Sequence, residues 1–188
     1  MNSKKTTGFS LLLLTGFLLF QASSCGKIKD LVKFDVGIDN MTAEFIIPAT
    51  GTGDGSVSSA NVYLNLDSLI NASSNKVNSS NIKEVRLTSC QLTLIAPPSN
   101  QSFGDFSAAG LQMWSNKNST PVTMAQVTNN PDVQANTITL PLNSNVDLKN
   151  YFVSANTFSF KLNWTARRAL SQEMRCRVLL KYNLVVGL

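Results

Sequence analysis

The chain has 188 residues, with 16 Lys and Arg against 11 Asp and Glu and no histidine. A net charge of +5 without a long basic run excludes a nucleic-acid or heparin patch. Lacking histidine, the chain lacks the commonest general base and metal ligand. That excludes Ser-His-Asp catalysis and zinc sites built on His, and the sequence implies no metal and no other cofactor.

The first stretch carries the strongest signal. Lys4 and Lys5 precede an uncharged apolar run from Gly8 to Phe20, followed by the small, polar Gln21-Ala22-Ser23-Ser24 and then Cys25. Positive, apolar and small is the order of a secretory signal peptide, and the run falls short of the ~20 residues a membrane-crossing helix needs. Ala22-Ser23-Ser24-Cys25 resembles the lipobox of bacterial lipoproteins, in the serine-rich form of Bacteroidota, with Ala22 where the strict form has Leu. The resemblance implies cleavage before Cys25 and acylation of Cys25 with palmitate-type chains. Two or three such chains anchor a protein stably where one does not. Gly26 and Lys27 replace the Asp that retains such lipoproteins at the inner membrane, which points to the outer membrane. The stretch from Gly26 to Asp30 lacks the acidic run of surface-exported relatives and so favours the periplasmic face. The alternative is an ordinary secretory signal with Cys25 as a free thiol. The expected organisation is a signal peptide over 1–24, a lipidated tether over 25–32 and a single β-sandwich domain over 33–188.

The rest of the chain reads as strands. Lys33 to Asp39 alternates Phe34, Val36 and Ile38 with polar residues, and Glu44 to Ile47 is a second short strand stopped by Pro48. Asp35 and Asp39 share a polar face, which is a solvated face before it is a calcium site. Ala49 to Ser59 reads as a flexible loop, with glycines that do not follow a dinucleotide-binding pattern. Ala60 to Leu66 alternates Val62, Leu64 and Leu66 with Tyr63 and Asn65, and Asp67 reads as the N-cap of a short helix. Ile82 to Ala96 changes phase, which places a β-bulge near Thr88-Ser89. Phe106 to Ser115 and Pro121 to Val127 flank a hairpin turn at Asn116 to Thr120. Thr137 to Leu142 is an edge strand because of Pro141, and Val146 to Val153 makes one or two helical turns. Thr157 to Thr165 and Met174 to Val186 show the clearest alternation. About nine strands with short helical connectors predict an all-β, mainly antiparallel sandwich, immunoglobulin-like or jelly-roll in kind, rather than a transmembrane barrel.

Candidate chemistry is sparse. Cys90 and Cys176 are candidates for a disulfide in an oxidising compartment, or else two buried thiols. Trp114 and Tyr151 are candidates for an aromatic ligand platform, with core packing the alternative. Arg167, Arg168, Arg175 and Arg177 form a basic group near the last two strands. No pair of acids stands out for glycoside hydrolysis. The last strand, if it lies at a sheet edge, offers an edge for pairing. These features imply a non-catalytic binding or accessory module of the cell envelope. Its partners are the membrane, through the N-terminal lipid, and an envelope protein or a glycan, without nucleic acid. The alternatives are a carbohydrate- or small-ligand-binding protein and, last, a hydrolase.

Overall fold

A computed structural model describes residues 33–187. The signal peptide, Cys25 and the tether lie outside the described residues. The strands are β1 (Lys33–Ile47), β2 (Gly53–Ser58), β3 (Val62–Tyr63), β4 (Ile82–Leu94), β5 (Phe106–Ser115), β6 (Val122–Val127), β7 (Thr137–Thr139), β8 (Thr157–Ala166) and β9 (Met174–Gly187). Two short helices, α1 (Leu66–Ser73) and α2 (Lys149–Phe152), lie in the connections. One antiparallel sheet has the order β1-β9-β4-β7; the other has the order β2-β8-β5-β6, with β3 also paired to β8. The fold is therefore an all-β sandwich with short helices.

Period-two alternation builds the core. Strand β8 buries Phe158, Phe160, Leu162 and Trp164 and turns Ser159, Lys161 and Asn163 outward. Strand β9 buries Met174, Cys176, Val178, Leu180, Tyr182, Leu184 and Val186 from the opposite sheet. The inner faces meet as one continuous hydrophobic cluster. Helix α2 packs on β4 and β5, and Phe152 joins the cluster with its ring 4.8 Å from Phe158 and 5.0 Å from Tyr182.

Bulges keep the faces in phase. The bulge expected near Thr88-Ser89 lies between Leu87 and Ser89. A second, between Ile38 and Met41, joins the two expected N-terminal strands into one. Asp39 and Asn40 absorb the phase change there, so Val36 and Ile38 before it and Met41, Ala43 and Phe45 after it all face the core.

Three local expectations need correction. The segment read as a flexible loop contains β2, because β8 offers an unpaired edge along its length. Asn65, not Asp67, caps α1: its Oδ1 accepts from Ser68 N at 3.0 Å, while Asp67 reaches Ser79 N at 2.7 Å. Strand β9 is not an edge, since β1 and β4 pair with its two sides.

Of the two readings of Cys90 and Cys176, the structure shows two buried thiols and not a disulfide: both are free and buried. Cys90 lies opposite Leu180 and Cys176 opposite Leu94 on neighbouring strands. That four-residue offset separates them by roughly 13 Å along the strands, beyond the ~7 Å a disulfide spans. Burial pushes both thiols up to about 12 and keeps them protonated. Thiol titration of the unfolded protein without reductant is expected to find both sulfurs free, with a melting temperature that dithiothreitol does not change.

Gly55 has a packing role that its sequence neighbourhood conceals. It lies opposite Trp164, and a Cβ there would stand 2.5 Å from the indole ring. The ring occupies the space of the missing side chain, and Phe106 meets it edge-on with centroids 6.3 Å apart. Gly55→Ala is expected to cost about 1–3 kcal/mol through overpacking, measured by thermal or denaturant unfolding, and to shift the Trp164 fluorescence.

Candidate functional site

The two outward faces of the sandwich differ in chemistry. On the four-stranded sheet, charged side chains pair with one another. Arg177 Nη2 reaches Glu44 Oε1 at 2.6 Å, Arg175 Nε lies 3.6 Å from Glu173 Oε1, and Arg86 pairs with Glu84. Asn183 Nδ2 donates to Asp35 Oδ1 at 3.2 Å.

The five-stranded sheet presents amides, hydroxyls and two aromatic rings instead. Its outer rows follow from the register around β8. Thr165 stands between Asp54 and Ala108, Asn163 between Ser56 and Gly110, and Lys161 between Ser58 and Gln112. Ser159 stands opposite Trp114, and Thr157 opposite Tyr63. Asp54 and Lys161 are the charged members of these rows, and Asp54 Oδ1 accepts from Thr165 Oγ1 at 2.6 Å.

At the Asp54 end, the small residues Ala108 and Gly110 make the floor of an open groove of about 520 Å³. Asp54, Ser56, Gln112, Gln126, Asn163 and Thr165 line it. A bulge between Leu111 and Gln112 turns both Met124 and Ala125 of β6 inward, which leaves Thr123 to accept from Gln112 Nε2 at 3.2 Å.

The other end carries the aromatics. Leu111, Met113 and Ser115 are buried, so the half-buried Trp114 faces outward. Tyr63 is 76% exposed. With two strand spacings and one row between them, their backbone positions are roughly 12 Å apart. Polar side chains near them are held in place. Ser159 Oγ donates to Asn61 Oδ1 at 2.7 Å, Asn116 Nδ2 to Asn156 Oδ1 at 3.0 Å, and Asn156 N to Asn116 Oδ1 at 3.3 Å. Beside Tyr63 lies a hollow of about 690 Å³ bounded by Asn65, Asp67, Asn78, Ser80, Ser154 and Asn156. Ser154 has a φ of 56°, a left-handed conformation that costs a non-glycine residue about 1–2 kcal/mol.

The expected platform is thus corrected. Trp114 faces out, but Tyr151 of α2 is 8% exposed and turned into the protein, because the helical turn packs its apolar side on β4 and β5. The aromatic that shares the face of Trp114 is Tyr63. Its position was legible, since the alternation of Val62 and Leu64 sets Tyr63 on the polar side.

The basic group also divides. Arg175 and Arg177 belong to the four-stranded face, while Arg167 and Arg168 tie loops together at one end of the sandwich. Arg168 Nη1 bonds Asp105 Oδ1 at 2.9 Å and Arg168 Nη2 bonds Asp132 Oδ1 at 2.5 Å, while Arg167 donates to the Asn130 carbonyl. Asn130 Nδ2 in turn donates to the carbonyls of Phe103 and Phe106, at 2.8 and 3.0 Å. Two carboxylates do converge here. The hydrogen bonds from Arg168 hold the Asp132 carboxyl below the usual carboxylate range, and the one guanidinium latches loops by bonding both acids.

No family model matches the chain, and no curated protein matches it. Solved structures of similar shape include a chain of infectious bursal disease virus, Gx strain, at 5% identity and TM-score 0.42, covering 84% of this chain and 33% of that one. A capsid chain of the Helicobacter pylori bacteriophage KHP30 matches at 12% identity and TM-score 0.34, covering 84% and 98%. A protein of Eubacterium rectale matches at 10% identity and TM-score 0.40, covering 84% and 40%. The chain spans about a third of the length of the bursal disease virus protein. The functional reading therefore rests on the geometry of this chain.

Asp67 provides a check on the hollow. The hydrogen bond from the Ser79 backbone N–H holds its carboxyl below the ordinary value. A depressed folded-state value means that the stabilisation is present above the unfolded pKa of roughly 4 and is lost as pH falls through the folded value. Asp67→Asn keeps the acceptor oxygen and removes the charge. The melting-temperature difference between wild type and this variant is expected to shrink as pH falls from 6 to 2.

Proposed function

We propose that the chain is the precursor of a lipoprotein anchored in the outer membrane through Cys25, and that its β-sandwich is a non-catalytic binding module of the cell envelope. The leader from Lys4 to Ser24 and the lipobox-like residues before Cys25 support the anchor. The outer face of the five-stranded sheet carries the binding half of the reading: two outward aromatics stand among amides and hydroxyls on hydrogen-bonded strands. A ladder-held backbone has already lost the entropy that a flexible surface loses on binding, so contacts made there convert more fully into affinity. Tyr and Trp add large contact area with few rotatable bonds. The periplasmic leaflet is the proposed side of the membrane.

The anchor is tested by growing the native host with labelled palmitate and fractionating its membranes. The wild-type chain is expected to take up label and sediment with outer membranes. Cys25→Ala is expected to take up none and to leave that fraction. A Cys25→Ala protein that still sediments with the outer membrane would overturn the anchor.

A further inference from the structure

We propose that the aromatic end of the five-stranded sheet binds a neutral glycan strand, with one pyranose ring on Tyr63 and another on Trp114. The inference rests on the reading of this face as the binding surface and assigns its ligand class.

The exposure of Tyr63 is the first ground. A tyrosine that is 76% exposed on a two-residue strand contributes little burial to the fold. A pyranose presents an apolar C–H face to such a ring and a rim of hydroxyls to its polar neighbours, matching an aromatic set among amides.

Spacing is the second. Trp114 and Tyr63 flank β8 on either side, with Ser159 and Thr157 between them. Their backbone positions, roughly 12 Å apart, suit two rings of one chain rather than the two faces of a single ring. The polar residues in between would meet the hydroxyls of the linking sugar units.

The third ground is charge. Asn61, Asn116, Asn156, Thr157 and Ser159 lie between and beside the two rings and none of them is ionisable, while Lys161 stands one outward row beyond Ser159. The opposite sheet shows the contrast, with Arg177 paired to Glu44 across strands and Arg86 to Glu84 along one. An acidic polymer or a phosphate group would find no cation among the residues between the rings. A protein partner would be served by a contiguous apolar patch at the centre of an interface, whereas here the apolar area is split into two rings by hydroxyls. Asn61 and Asn156 each use Oδ1 within the protein, and their Nδ2 groups have no protein partner among the described residues. Each amide is therefore oriented, with donors left for a ligand hydroxyl.

The test is affinity electrophoresis of the full-length protein in mild detergent, through native gels containing soluble neutral polysaccharides: β-1,3-glucan, xyloglucan, galactomannan or α-1,4-glucan. Polygalacturonate and alginate gels serve as acidic comparisons. At least one neutral polymer is expected to retard the protein, with little dependence on salt. Tyr63→Ala and Trp114→Ala are each expected to weaken retardation about tenfold. Trp114→Phe should restore part of it, and Lys161→Ala should leave it unchanged. Melting temperatures report whether each variant is folded, and the exposed Tyr63→Ala carries the test if Trp114→Ala is not. Retardation only by the acidic polymers, or retardation unchanged in folded Tyr63→Ala, would overturn the proposal. If no polymer retards the protein and Tyr63→Ala abolishes a cross-linked envelope protein partner, the glycan assignment falls and the binding face stands. If neither glycan nor partner responds to Tyr63→Ala, both fall.

Discussion

The structure depends on the backbone hydrogen bonding of its two central strands, β8 and β9. Each is paired along both edges, β8 by β5 on one side and β2 and β3 on the other, β9 by β1 and β4. A buried strand with an unpaired side would leave a row of unsatisfied N–H and C=O groups in the core. The partners lie far away in the chain: Lys33 pairs with Gly187, and Gly53 with Ala166. Among the described residues, only β5 and β6 form a local hairpin. Neither sheet can close until residues 157–187 are in place, so the loop-closure entropy comes before most of the burial that offsets it, a topology associated with slow folding.

The same constraint shapes the outer surface. Pairing on both edges fixes β8 in the five-stranded sheet, so its outward side chains form an ordered row from Thr157 to Thr165. Neighbouring strands then set their own outward residues in register with that row. The aromatic pair and the polar groove are consequences of this alignment, because Tyr63 and Trp114 come from strands that meet only through β8. The four-stranded sheet uses the same geometry to pair opposite charges, of which the Arg177–Glu44 bond is the clearest. Exposed pairs of this kind contribute little stability, so the contrast between the faces matters more for what each can bind than for holding the fold.

Much of this was legible in the sequence, and the omissions have physical causes. Alternation marked β8 and β9 almost residue for residue, because both are amphipathic over their full length. The bulge after Leu87 was visible because the apolar phase slips there. The bulge at Asp39-Asn40 was not, since a polar interruption reads equally well as a turn between two strands. Strand β2 has no apolar alternation to show. Its Gly-Asp-Gly-Ser pattern suits an edge where Trp164 requires the space of a side chain, and that requirement comes from a residue more than a hundred positions away. Tyr63 and Tyr151 exchanged roles because a helical turn with apolar residues on several sides does not announce which one faces inward.

The sequence by itself determined the fold class and the inward or outward sense of most strand residues, because a period of two ties each side chain to one face. It also determined the expectation of a lipid anchor, which rests on local order around Cys25 alone. Tertiary structure decided which strands are neighbours, that Cys90 and Cys176 are held four residues out of register, that the arginines are divided between a loop latch and a sheet face, and that Trp114 shares its surface with Tyr63. Those outcomes depend on pairings between distant segments. The choice among such pairings is made by the summed satisfaction of backbone groups and burial of both inner faces, which no local pattern encodes.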